Sequence, residues 1–226
     1  SSAASDVYKR QVENLAIIWC YYSGKIEGNS YTYVETETLL KDQITSLKKY
    51  EDAEILITLH NTFTTELEYI KERNSKEIDK STLFRVYQSI SAGLVPDEES
   101  EHLRNRPVCV SGIEYTPTKE LHKISEKLDE ILHQQEQYTN PLERAVYLHC
   151  NIAQLQPFAN KNKHASRMIE SIVLMNADII PVYSLRETDI LNYKKGVLFF
   201  CETGEYSLYA DYFLNRQIER IKEIEE

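Results

Sequence analysis

The sequence predicts an all-α domain carrying one small β-hairpin. Three observations point there. Apolar residues recur at helical spacing over most of the chain, and only one stretch reads as strand. Glycine and proline, six of each in 226 residues, are too few for long flexible linkers.

The elements follow in order. From Val7 to Tyr22, Val12, Leu15, Ala16 and Trp19 fall on one helical face. A break at Gly28-Asn29 precedes helical segments near Glu35 to Leu47 and Ala53 to Lys71. Another helix runs from about Asp79 to Ala92 and stops near Gly93 and Pro96. Pro107 to Thr116 is the strand-like stretch: Val108, Val110 and Ile113 are β-formers, with a Ser111-Gly112 turn between two short runs. A helix resumes from Lys119 to Gln135, with Leu121, Ile124, Leu128 and Ile131 on one face. Asn140-Pro141-Leu142-Glu143 is a helix start, with Asn as cap, Pro at the first helical position and Glu at the third. That helix runs to about Ala153, followed by a loop over Gln154 to Asn160 and a helix from Lys161 to Met175. Its buried stripe is Ala165, Met168, Ile169 and Ile172. The last amphipathic stretch, Tyr206 to Glu226, carries Leu208, Tyr212, Phe213, Ile218 and Ile221.

Composition excludes several function classes. A formal charge of −10 argues against non-specific nucleic-acid binding, because an acidic surface repels phosphates; it leaves room for a local basic pocket. Cys20, Cys109, Cys150 and Cys201 are scattered without a CxxC pair, which implies neither a zinc site nor a disulfide framework. Reduced thiols and a cytoplasmic location are the expectation. No apolar run approaches the roughly 20 residues that span a bilayer. Ser1-Ser2-Ala3-Ala4-Ser5 lacks an initiator Met and reads as an appended remnant.

The chemistry-bearing segment is Gln156-Pro157-Phe158-Ala159-Asn160-Lys161-Asn162-Lys163-His164-Ala165-Ser166-Arg167. It is a loop entering a helix N-terminus, where unpaired N–H groups and the helix dipole favour an anion. Lys161, Lys163 and Arg167 add positive charge there, and Asn162 adds an amide donor. The competing reading is a solvated basic helix end.

This segment resembles the Fic (Fido) signature, His-Pro-Phe-x-Asp/Glu-Gly-Asn-Gly/Lys-Arg-x-x-Arg. Pro157, Phe158, Asn162, Lys163 and Arg167 are in register. Ser23-Gly24-Lys25-Ile26-Glu27-Gly28-Asn29 is similar to the family's inhibitory pattern, Ser/Thr-x-x-x-Glu-Gly/Asn, at the N-terminal side where one class of Fic proteins carries it. The resemblance implies a Fic-type helical domain in which the Pro107–Thr116 hairpin is the substrate-docking flap. It implies an N-terminal helical region, residues 1–76, with the inhibitory residues Ser23, Glu27 and Asn29. Residues 77–226 would be the Fic core plus C-terminal helices, packed with it as one structural unit.

For function, the resemblance implies a protein adenylyltransferase: a target Ser, Thr or Tyr hydroxyl attacks the α-phosphate of ATP, with Mg²⁺ neutralising charge. Asn160, Lys161, Asn162, Lys163, His164 and Arg167 would be the nucleotide-binding set, Asn162 at the α-phosphate and Arg167 at the γ-phosphate. Phe158 would anchor the loop. A protein target at the flap and a homodimer are the implied partners, with no nucleic acid or membrane.

Four departures weaken that implication. Gln156 stands at the catalytic His position, and an amide takes no proton at neutral pH. Asn160 stands at the acidic metal ligand, so Mg²⁺ loses a charged partner. Lys161 replaces a close-approach Gly, and His164 replaces a permanent phosphate donor. Losing a general base alone forfeits about 10²–10⁴ in rate. His149 and His164 are substitute bases only if they are not packed structural residues, the commoner role of a helical His. Glu27 and Arg167, the family's inhibitory pair, are both present, as a live lock or as a structural ion pair. Two functions therefore stay open: a divergent transferase, and an inactive Fic domain that binds nucleotide or protein.

Overall fold

The computed structural model describes residues 2–72 and 77–225. Ten helices carry the fold among these residues: α1 (Ser2–Ile26), α2 (Tyr33–Asp42), α3 (Tyr50–Glu72), α4 (Lys80–Ser91), α5 (Asp97–Ser100), α6 (Leu121–Gln134), α7 (Pro141–Leu155), α8 (Asn162–Asn176), α9 (Glu187–Thr203) and α10 (Ser207–Glu225). The all-α expectation holds. Helix α1 runs through the stretch expected to be a remnant, from Ser2 onward.

Local chemistry sets the helix ends. Thr32 with Glu35, and Asp79 with Thr82, form reciprocal capping boxes at the starts of α2 and α4. Asn140 caps α7 through Leu142 N–H, with Pro141 at the first helical position, as its sequence predicts. Helix α2 stops at Asp42, short of the expected Leu47, because Gln43 turns left-handed at φ 58° and returns its N–H to Leu39 O. Helix α1 ends in a Schellman motif. Gly28 sits at φ 79°, its N–H reaches Lys25 O, and Asn29 N–H reaches Gly24 O. The Glu27-Gly28-Asn29 run is thus, locally, a helix stop.

Helices α7 and α8 form the central hairpin. Twelve of the fifteen residues of α8 are buried, so it is enclosed on nearly every side. One hydrophobic cluster runs from Ala16 and Trp19 on α1 through Phe63, Tyr87, Leu148 and Met168 to Phe213 on α10. Because α8 also buries Asn162, His164, Ser166, Arg167, Glu170 and Ser171, its polar atoms need partners inside the fold.

Helix α9 is absent from the sequence reading. Gly196 stands in its interior, where glycine weakens a helix. The glycine is a packing device: a Cβ there would lie 2.7 Å from Tyr209 Cα, so only glycine lets α9 and α10 come so close.

The expected hairpin needs correction. Residues 107–116 form no strand; Ser111-Gly112 makes the turn, with Gly112 at φ 92°, but the arms have no ladder. Pro107 and Pro117, at the two ends, lack an N–H to donate. Arg104 replaces the ladder at the base. Its guanidinium donates to Arg106 O and to Thr118 O, so both arms hang from one side chain. Tyr115 then ties the segment to α7 by donating to Gln154 O at 3.1 Å.

Candidate anion-binding loop

The loop between α7 and α8 is held at both ends by left-handed residues. Gln156 closes α7 at φ 51°, and Lys161 opens α8 at φ 56°. An L side chain in that region costs about 1–2 kcal/mol, so the loop stores strain at both of its ends. Phe158 anchors it. The ring is fully buried, stacked on Tyr87 at 3.8 Å and edge-on to Phe84.

The amides of the loop serve its own shape. Gln156 Nε2 donates to Ala153 O at 2.6 Å, and its Oε1 accepts from Asn162 Nδ2 at 3.1 Å. Asn162 Oδ1 accepts from Phe158 N–H at 2.9 Å, while Nδ2 also donates to Phe158 O. Asn160 Oδ1 accepts from the Tyr87 hydroxyl at 3.1 Å. No group of three or more His, Cys, Asp or Glu is placed to hold a metal among the described residues. A neutral amide oxygen already engaged by a phenol, with no carboxylate beside it, does not fit Mg²⁺.

Arg104 is the site residue that sequence reasoning missed. It is 3% exposed, and besides the two flap carbonyls it donates to Gln156 O and to Leu155 O. Its own N–H reaches Pro157 O at 3.0 Å. One buried guanidinium therefore joins the start of the loop to both arms of the flap. An arginine outside every motif gives no signal in a single sequence.

The charged residues are arranged unlike the expected lock. Arg167 is 1% exposed, with Nε donating to Ser23 Oγ at 3.2 Å, Nη2 to Ser23 O at 3.2 Å and Nη1 to the Tyr193 hydroxyl at 3.1 Å. Its guanidinium also lies 5.3 Å from the centre of the Tyr193 ring. Every direct partner is a neutral oxygen. Glu27 makes no ion pair with it; the carboxylate stands apart, on the rim of a cleft of about 320 Å³ with Gly28, Ser111, Lys163, Tyr193 and Lys194. Crowding pushes the Glu27 carboxyl up, but the side chains facing it, His164 first and then Arg167, Lys163 and Lys161, hold it below the ordinary value. Asn29 faces away, donating to Asp52 O and accepting from Tyr31 N–H. Of the three inhibitory candidates, only Ser23 touches Arg167.

The two histidines are structural. His149 is fully buried on α7, between the hydroxyls of Tyr193 and Tyr209. His164 is 1% exposed, with Nε2 3.3 Å from Ser23 O and Nδ1 lacking any partner. Burial, with Arg167 close by, pushes its pKa down to about 3, so the ring is neutral and a poor proton acceptor.

Two outcomes follow for stability. Lys161→Gly relieves a strained φ and removes a cation from the positive end of α8, and raises the unfolding free energy by about 1 kcal/mol in urea titrations. His164 titrates near 6.5 when unfolded and near 3 when folded, so between those values the unfolded chain binds more protons. Its contribution is complete above pH 6.5 and is lost as pH falls through that window, by at most about 1.4 kcal/mol per pH unit. His164→Gln flattens the decline of urea midpoints over pH 6.5 to 4.

The Fic/DOC family model matches residues 50–174. No curated protein matches. A Fic-1 fragment from C. elegans has a TM-score of 0.78 at 16% identity, over 95% of this chain and 63% of that one. This chain thus spans less than two thirds of that fragment. A Fic family protein from Desulfovibrio desulfuricans has a TM-score of 0.79 at 14% identity, over 100% of this chain and 70% of that one. A Fic domain containing signaling protein from Bacteroides thetaiotaomicron has a TM-score of 0.74 at 18% identity, over 96% and 84%. These likenesses concern the fold, and the family match covers more than half of the sequence: the chain belongs to the Fic/DOC family.

Proposed function

We propose that this protein is a Fic domain that binds a nucleotide, with ATP as the reference ligand, without transferring AMP. The reading rests chiefly on Gln156. At the position of the family's base stands an amide whose donor and acceptor are both engaged, by Ala153 O on α7 and by Asn162 at the start of α8. An amide cannot accept the proton of an attacking hydroxyl, and neutral, buried His164 is no substitute.

Binding rests on different groups. Lys161, Lys163 and Arg167 supply positive charge at the uncapped start of α8, where backbone N–H groups favour an anion. Arg167 has no contacting carboxylate to neutralise it, which suits a group meant for a phosphate. It is covered by Ser23, so a nucleotide reaches it only when the last turn of α1 shifts. That requirement lowers the apparent affinity by the fraction of molecules in the open form. Because the loop does not fit Mg²⁺, no step is assigned to a protein-bound metal.

The test uses α-labelled ATP with Mg²⁺ or Mn²⁺ and a cell lysate, comparing the wild type with Glu27→Gly. Neither protein is expected to leave label on any protein, itself included. Label appearing with Glu27→Gly would make the chain a locked transferase and end the binding-only reading.

A further inference from the structure

A buried guanidinium without a contacting counter-ion is costly unless its charge is balanced elsewhere. Glu27 contributes through its field without contact, and the hydrogen bonds beyond Arg167 lead to a second carboxylate that is connected to it. Tyr193, which accepts from Arg167 Nη1, lies 2.7 Å from His149 Nε2. His149 Nδ1 lies 2.9 Å from the Tyr209 hydroxyl and 3.2 Å from Glu170 Oε1. The Tyr209 hydroxyl in turn donates to Glu170 Oε1. His149, Tyr193 and Tyr209 are all 1% exposed or less as residues, and Glu170 is 8% exposed.

With a single proton on the His149 ring, the direction of each bond follows. A carboxylate only accepts, so the Tyr209 proton points at Glu170 and the Tyr209 oxygen faces His149 as an acceptor. His149 must then carry its proton on Nδ1. Its bare Nε2 accepts the Tyr193 proton, and the Tyr193 oxygen is left to accept from Arg167, a group that only donates. Every member has one consistent role. The chain links α8 at Arg167 to α9, α7 and α10 and returns to α8 at Glu170, one helical turn on.

We infer that Glu170 is the remote counter-charge of Arg167 and that Tyr193, His149 and Tyr209 are positioning residues transmitting its polarity. The arrangement balances the cation without placing a carboxylate in contact with its donors, and this role for Arg167 rests on the binding function proposed above. Chains of aligned hydrogen bonds polarise one another, so both ends hold the same orientation. Glu170 lies outside the signature residues, and Gln at this position would donate as readily as accept, erasing the direction.

Nitrogen-15 NMR of the full chain, labelled on histidine and arginine side chains, tests this without nucleotide. The wild type is expected to show His149 as the Nδ1–H tautomer and slow exchange of the Arg167 Nη1 protons. Tyr193→Phe keeps the ring and cuts the chain: His149 stays Nδ1–H while Arg167 exchange rises roughly tenfold, the factor expected for one charge-assisted hydrogen bond. Glu170→Gln is expected to abolish the single tautomer and raise Arg167 exchange as well. An Nε2–H tautomer in the wild type, or unchanged Arg167 exchange in Tyr193→Phe, overturns the inference. Should Glu170→Gln fail to fold, the wild-type tautomer and the Tyr193→Phe response still decide it. These readouts stand whether or not the protein binds ATP, so they separate this claim from the proposed function.

Discussion

A guanidinium taken out of water must be given oxygen partners, and the fold of this protein is arranged around doing so for Arg167. Its donors are met by the last turn of α1 through Ser23 and by α9 through Tyr193. These two contacts tie the N-terminal helix and the C-terminal pair to the central helix α8. A second buried arginine does the same for the flap. Arg104 gathers carbonyls from the end of α7, the start of the loop and both flap arms. Both arginines are buried and meet neutral oxygens, yet their chemistry differs. Arg104 is surrounded by backbone carbonyls and is a staple. Arg167 meets two hydroxyls and one carbonyl, two of these three oxygens belonging to Ser23 in the last turn of α1.

The Ser23–Asn29 segment acts here as a structural end of α1. Glu27-Gly28-Asn29 ends α1 by a Schellman motif, and Asn29 fastens that end to the start of α3. Holding this turn in place holds Ser23 over Arg167. Glu27 acts on the site through its field, alongside Lys161 and Lys163, and makes no direct ion pair with Arg167. Ser23 and Tyr193 make the direct contacts with the guanidinium, whereas Glu27 acts only at a distance.

Much of this was legible in the sequence, and the failures have physical causes. Asn140-Pro141, Asp79 and the Gly28 stop are local signals, and the structure uses each one locally. The loop from Gln156 to Arg167 was found because its residues are contiguous. Helix α9 was missed because Gly196 answers to Tyr209, a residue on another helix. The flap was read as a hairpin because its β-formers are visible, whereas Arg104, which takes the place of the ladder, is not. Glu170 and Tyr193 escaped notice for the same reason: their roles exist only once four helices are packed together. The family assignment was within reach of the motifs, and the engagement of the Gln156 amide by Asn162 was not.

The account makes Arg167 an anion-binding group kept charged and covered. Calorimetric titration of ATP into the wild type and into folded Arg167→Met addresses this most directly. The account predicts binding to the wild type and at least a roughly tenfold loss in the variant, as expected when a charge-assisted phosphate contact is removed. No heat with the wild type, or equal affinity in the two proteins, would contradict it.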